Sequence, residues 1–521
     1  MAITTNVLDK RRAGILLHIT SLPSTLGNGT MGRQAYRFVD FLKECGLSVW
    51  QVLPIHPPQQ VPLHTPHRDF LSPYQPQSVH AGNPMLIDLQ MLIDKGWLPR
   101  KALPSFNNKS ELKQSFEYRR VCLKEAYPYF SEHALESDHE DYQRFVEENN
   151  WWLDDYALFC VIKDFYNGAC WWKWPDGHRS HYDYQKLDKD CKRFARFIER
   201  YRFIQFVFHK QWFELKEYSN QNGVFLFGDM PFFVARDSVE VWAHQDNFLL
   251  DKNGNPQYLS GISPDDDYFY FGKGQCWGHP LYNWDRLKQN NFQWWVERFY
   301  VANHLFDLTR LTYFRGFYKS WAIPADSSKP TDGKWQYTNC WEALLKTVRE
   351  KQVLGNPLIW VAEDIETSKR ANDLRNQYNF SRMKILQLAF NDNSKTPLRN
   401  LHLPHHHTIK DIVYTGTHDS NTTLGWLEWI KKDKNKQKHI CEYLNTKSKD
   451  MLCSIIQAAF QSVAKVIIIP MQDILCLDAK HRMNVPNTSN SRNWRWQFKW
   501  SQVTPEIDEK LKRMINCYER N

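Results

Sequence analysis

Eight short apolar runs of strand length recur along this chain, and the stretches between them carry helix-like spacing, an alternation that constrains the fold more than any other feature. Residues 15–20 read as a buried strand. Residues 31–45 then place Tyr36, Phe38, Phe41 and Leu42 at helical spacing and stop at Gly46, after which 47–53 form a second apolar run. The same grammar returns at 224–227, 308–314, 358–362, 384–390, 412–415 and 466–469. Strands separated by helices pair in parallel, and repeated βα units close on themselves. The expected fold is therefore α/β, a (β/α)8 TIM-type barrel, with residues 1–521 forming a single catalytic-type domain.

Between residues 95 and 205 the strand signal fades. Long amphipathic patterns over 151–166 and 192–218, the second ending near Asn222-Gly223, predict a helical insertion subdomain within the barrel rather than a separable module. Trp151-Trp152 and Trp171-Trp172 are expected to pack the core of those helices rather than to serve as sugar platforms.

Composition narrows the function classes. With 42% hydrophobic and 24% charged residues the chain is globular, which excludes wholesale disorder. Aromatic residues reach 15%, supplying many flat faces of the kind that sugar rings stack on. A net charge of +9 is mild over 521 residues, and the dense basic run at 431–436 reads as one solvated helix face, so no nucleic-acid partner is expected. The 11 cysteines show no Cys-x-x-Cys pair and no metal-ligand spacing, which fits free thiols in a reducing, cytoplasmic setting. The apolar run at 466–471 is far too short to span a bilayer, and no apolar stretch precedes Arg11-Arg12, so neither membrane nor export is expected. His405-His406-His407, with His402 nearby, reads as a surface loop rather than a metal site. Gly27-Asn28-Gly29 reads as a turn, and no cofactor is implied.

The chemistry gathers at predicted strand ends. Barrel enzymes carry their working groups there, and three runs end in acids: Asp229, Glu363-Asp364 and Asp419. Carboxylates at one barrel mouth, beside Arg310, Arg315 and His418, suit glycoside chemistry, in which one acid protonates a leaving oxygen and others face an oxocarbenium-like centre.

These residues sit in motifs that resemble the amylomaltase or 4-α-glucanotransferase family, relatives of the α-amylase barrels. The resemblance runs through Ser72-Pro73-Tyr74-Gln75, His80-Ala81-Gly82-Asn83-Pro84, Gly228-Asp229-Met230-Pro231, Gln275-Cys276-Trp277-Gly278-His279-Pro280, Phe314-Arg315-Gly316-Phe317 and Ala362-Glu363-Asp364. It continues in Thr415-Gly416-Thr417-His418-Asp419, Arg482-Met483-Asn484-Val485-Pro486 and Asn493-Trp494-Arg495-Trp496. It implies transfer of α-1,4-glucan segments between maltooligosaccharides by a retaining mechanism, without a cofactor. By the same resemblance Glu363 is the general acid/base and Asp419, beside His418, stabilises the transition state. Arg310 supports the nucleophile, and Tyr74, Asp229, Gln275 and Trp277 line the sugar subsites.

One strand end departs from the family. Where the family has a nucleophilic Asp followed by His, this chain has Thr312 and Tyr313. A threonine hydroxyl is neutral near pH 7 and needs a base, and none is apparent beside it in the sequence. Asp307 lies five residues upstream, on the opposite strand face and roughly 16 Å away at about 3.3 Å per residue. The Asp265-Asp266-Asp267 run belongs to the expected substrate-covering loop at 265–270 and reads as solvated. Two readings follow: a glucanotransferase weakened at its nucleophile, or a catalytically inactive glucan-binding or regulatory protein.

Overall fold

The computed structural model describes residues 6–24, 26–59, 71–100, 112–179, 184–264, 273–327, 329–351, 359–363, 369–390, 400–488 and 492–521. Its centre is a closed parallel barrel of β1 (Arg12–Leu16), β2 (Val49–Gln51), β3 (Phe225–Met230), β4 (Leu308–Leu311), β5 (Trp360–Ala362), β6 (Ser381–Ile385), β7 (Asp411–Tyr414) and β8 (Val466–Pro470). Neighbours in the chain are neighbours in the barrel, and β8 closes on β1 from Arg12 against Val466 to Leu16 against Pro470. Each of the eight apolar runs overlaps a strand.

Bounds differ in both directions: the runs at 15–20 and 384–390 share two residues each with β1 and β6, the run at 224–227 stops short of the end of β3 at Met230, and two runs overreach their ladders for a local reason. β6 starts at Ser381 and ends at Ile385 because its partner β7 ends at Tyr414, and Leu386–Ala389 turns into a short helix. β4 stops at Leu311 because Tyr313 takes a left-handed conformation, φ 53°.

Strand alternation then divides the molecule into two apolar layers. Val49, Phe227, Leu308, Val361, Met383, Ile385, Ile412, Tyr414, Val466 and Ile468 fill the barrel interior. The opposite parity, including Ile15, Trp50, Leu226, Leu311, Trp360 and Ile467, packs against the surrounding helices. Helix Arg33–Cys45 shows how such a helix is made: Phe38, Val39, Phe41 and Leu42 are buried, and Gly46 ends it at φ 79°, a conformation that favours glycine.

Two additions stand on this frame. An antiparallel sheet pairs Gln275–Pro280 with Tyr258–Ile262, then Lys319–Pro324, then Lys334–Tyr337, and belongs to the connections around β4. Helices Leu112–His133, Glu136–Phe165 and Tyr184–Gln221 supply the helical region between β2 and β3. The Lys163 ammonium meets Asp237 at 2.6 Å with both side chains buried, and Trp171 N–H donates to the same carboxylate, so a paired charge joins that region to the segment after β3.

Three local expectations change. Trp152 and Trp171 are core residues, but Trp151 is 38% exposed and Trp172 is half-buried under the Arg236 guanidinium, 4.0 Å from its ring. The basic run is not one helix face: Lys431 and Lys432 follow helix Thr423–Ile430, and the Asp433 side chain caps the next helix, Lys434–Tyr443. His402 and His407 are buried, with His407 bonded to Ser462 and to the His402 carbonyl, so only His405 and His406 reach the surface. Among the described residues, no helix is long and apolar enough to cross a membrane and no cluster of His, Cys, Asp or Glu is placed to hold a metal.

Candidate active site

The parity that fills the barrel also arms its mouth. Two residues beyond interior Phe227 comes Asp229, two beyond Leu308 comes Arg310 and two beyond that Thr312, and two beyond Val361 comes Glu363. Interior positions therefore switch from apolar to charged where the strands end, the place where barrels carry their chemistry.

Arg310 is the hub. Its Nη1 pairs with Asp229 Oδ2 and its Nη2 with Glu363 Oε1, while Nη1 also lies 3.2 Å from Thr312 Oγ1. Burial works against the guanidinium charge, yet Asp229 and then Glu363 more than offset it, so Arg310 holds its proton more firmly than usual. Asp229 accepts from three donors: Oδ2 also accepts from Tyr74 Oη at 2.6 Å, and Oδ1 accepts from the Thr312 hydroxyl at 2.7 Å. Burial first, then the Asp229 charge, keeps the Tyr74 phenol well above its ordinary range and hence protonated.

Glu363 is held by the turn after β4. Tyr313 N–H donates to Glu363 Oε2 at 2.9 Å, an aim set by the left-handed backbone at Tyr313. The Tyr313 ring stands edge-on to Trp277 at 5.0 Å and packs on Phe233 at 5.6 Å. Trp277 in turn donates from Nε1 to Gln275 Oε1 at 2.9 Å, and Gln75 donates to the Trp277 carbonyl at 3.1 Å.

The third carboxylate comes from the far side of the barrel. Asp419 Oδ1 accepts from Asn484 Nδ2 at 2.7 Å, its carbonyl accepts from Arg482, and its Oδ2 lies 3.4 Å from His418 Nε2. Burial lowers the His418 imidazole's proton affinity, against the pull of Asp419 and with the help of Arg310. The His418 ring stacks on Tyr74, centroids 5.0 Å apart and planes 10° apart, and both rings neighbour Trp494. Tyr74 thus links the two halves of the site.

All nine residues singled out from the sequence, Tyr74, Asp229, Gln275, Trp277, Arg310, Thr312, Glu363, His418 and Asp419, come together around this mouth. Asp364 and the 265–270 loop lie outside the described residues. Sequence reasoning missed Asn484 and Trp494 as site members, although both stand in motifs that carried the resemblance. It also missed the hydrogen-bond partner of Thr312. Asp229 sits across the β3–β4 ladder from Arg310, so it meets the hydroxyl two residues further along β4, a proximity that only strand register creates. Asp307, as expected, is remote from this chemistry: its carboxylate accepts from Leu226 N–H at 2.7 Å, before β4 begins.

Chemically, the mouth presents two partly exposed carboxylates, Glu363 and Asp419, a buried carboxylate behind a hydroxyl, the buried Arg310 guanidinium and several rings. A family model described as 4-alpha-glucanotransferase matches residues 17–503. The 4-alpha-glucanotransferase of Synechocystis is 35% identical, over 99% of this chain and 99% of its own length. That of Thermus thermophilus is 36% identical, over 98% and 99%. Among solved structures, the amylomaltase from Streptococcus agalactiae in complex with acarbose superposes with a TM-score of 0.89 at 33% identity, covering 98% of this chain and all of that one.

Proposed function

This chain belongs to the 4-alpha-glucanotransferase family, and from that premise we propose that its barrel mouth binds α-1,4-glucans and moves their segments between maltooligosaccharides, slowly for want of a carboxylate nucleophile. In this reading Glu363 protonates the leaving oxygen and later takes the acceptor's proton. Asp419, fixed by Asn484 and 39% exposed at its side chain, faces the developing positive charge at the anomeric carbon. Tyr74, Trp277 and His418 offer flat faces to sugar rings, and Gln275 offers its amide.

The observation that carries this reading is the joining of Asp229, Arg310 and Glu363 into one ion-paired network at the mouth, with Asp419 held opposite across the Tyr74–His418 stack. A second reading, a glucan-binding protein without turnover, is favoured by one observation: a neutral hydroxyl at Thr312 beside Arg310. Incubation with maltotriose, followed by product analysis, separates the two. Glucose together with longer maltooligosaccharides is the expected result. Calorimetric binding of maltoheptaose without products supports the second reading, and absence of binding overturns both. All 11 cysteines are free thiols, four of them buried, which supports a reducing, cytoplasmic setting.

A further inference from the structure

Resting on the glucan-transfer reading, we propose that Thr312 is the nucleophile of this protein, with Asp229 as its proton acceptor. A nucleophilic hydroxyl needs a base within hydrogen-bond reach, and the base needs a third group to orient it. The structure supplies each part. Thr312 Oγ1 donates to Asp229 Oδ1 at 2.7 Å. Tyr74 Oη and Arg310 Nη1 hold Oδ2 of the same carboxylate, leaving Oδ1 to the hydroxyl. Arg310 Nη1 is also 3.2 Å from Thr312 Oγ1, where it stabilises negative charge that develops on that oxygen.

Exposure assigns the roles. The Asp229 side chain is 0% exposed and lies behind the hydroxyl, while Thr312 and Glu363 are half-buried at the mouth. A sugar ring therefore meets the hydroxyl and not the buried carboxylate. The branched Cβ of Thr312 restricts its rotamer, and the bond to Asp229 selects the one that aims the oxygen.

The step balances once Glu363, which at rest accepts from Arg310 and from Tyr313 N–H, has taken one proton from solvent, the proton that the first half hands on and the second returns. In the first half, Glu363 gives its proton to the glycosidic oxygen as the bond from that oxygen to C1 breaks. Thr312 Oγ1 bonds to C1 and passes its proton to Asp229 Oδ1, leaving a β-linked glucosyl-threonine, an ionised Glu363 and a protonated Asp229. In the second half, an acceptor 4-hydroxyl bonds to C1 and gives its proton to Glu363. The C1–Oγ1 bond breaks as Asp229 returns its proton to Oγ1. Two inversions give net retention. Both leaving groups are alcohols, so each half needs an acid, Glu363 in the first and Asp229 in the second.

The test compares the unmodified protein with Thr312→Ser, Thr312→Val and Asp229→Asn for transfer from maltotriose, with maltoheptaose binding followed in parallel by calorimetry. Thr312→Ser should keep transfer within about tenfold, while Thr312→Val, of nearly the same shape, should lose at least about 100-fold with binding retained, and Asp229→Asn, which also leaves Arg310 short of a buried partner, should lose at least as much. Intact-mass and peptide mapping of Glu363→Gln treated with α-maltotriosyl fluoride, whose leaving group needs no proton, should show a maltotriosyl adduct on Thr312. Unchanged transfer by Thr312→Val, or an adduct on another residue, overturns the proposal. Maltoheptaose binding with no transfer by the unmodified protein overturns it and leaves the glucan site standing, whereas no binding removes the glucan reading itself.

Discussion

Asp229 and Arg310 are partners twice over: they face each other in the register of β3 and β4, and their side chains form an ion pair, with 0% and 3% of those side chains exposed. Register brings the two backbones together, and the pair then fixes the side chains. Removing one partner of a buried pair leaves the other charge unpaired, which costs about 3–5 kcal/mol. Arg310→Met strands Asp229 and frees Glu363, so it should lower the unfolding free energy in urea by about that much and abolish transfer. A stability loss below ~1 kcal/mol would mean that solvent already reaches the pair.

Thr312→Asp combined with Tyr313→His places a carboxylate at the end of β4. Histidine tolerates the left-handed backbone found at Tyr313, so the turn that aims its N–H at Glu363 should survive. A charge facing the cationic centre lowers the barrier by several kcal/mol, so transfer from maltotriose should rise by about 10² to 10⁴. A doubly substituted protein no faster than the unmodified one would show that the hydroxyl is not what limits the rate.

Stability should fall in mild acid. Burial holds His18 and His402 down to about 3, and His56, His209, His279 and His407 to about 4, all below the ordinary value of 6.5. Between those values the unfolded chain takes up protons that the folded chain refuses, so folding weakens as pH drops below about 6.5 and the loss levels off near pH 3 to 4. Each such histidine contributes about 1.4 kcal/mol per pH unit inside its window. Thermal unfolding followed from pH 8 to pH 4 should show a flat Tm above about 7 and a steep fall below 6; a Tm that holds steady to pH 4 contradicts this.

Gly228 leaves room for a ring. A Cβ there would lie 2.1 Å from Phe306 Cδ2, and Asp229 follows immediately in β3. Gly228→Ala should destabilise the fold by about 1–3 kcal/mol, read as a lowered Tm. It should also reduce transfer more than binding, because it shifts the strand that carries Asp229. Equal losses of both would mean that the shift stays local to Phe306.

The barrel was legible because strand-length apolar runs and helical spacing are local properties, and each of the eight runs overlaps a strand. Strand limits were less so. β6 ends where its partner β7 ends, and a ladder cannot outrun its neighbour. The acids at the ends of β3 and β5, and Asp419 beyond β7, were visible as types at strand ends, and the motifs around them carried the family. Trp151, expected to pack the core of its helices, is 38% exposed, with one edge of its ring against buried His80.

The sequence by itself determined the order of strands, the interior parity and the chemical types that parity delivers to the mouth, including the threonine at the end of β4. Which of those groups touch was decided only in three dimensions. Asp229 and Thr312 are 83 positions apart and share a hydrogen bond because parallel register sets β3 beside β4, and Tyr74 reaches both Asp229 and His418 because the barrel closes. Local patterns record what each residue prefers, whereas contacts across a closed sheet depend on how all eight strands pair at once.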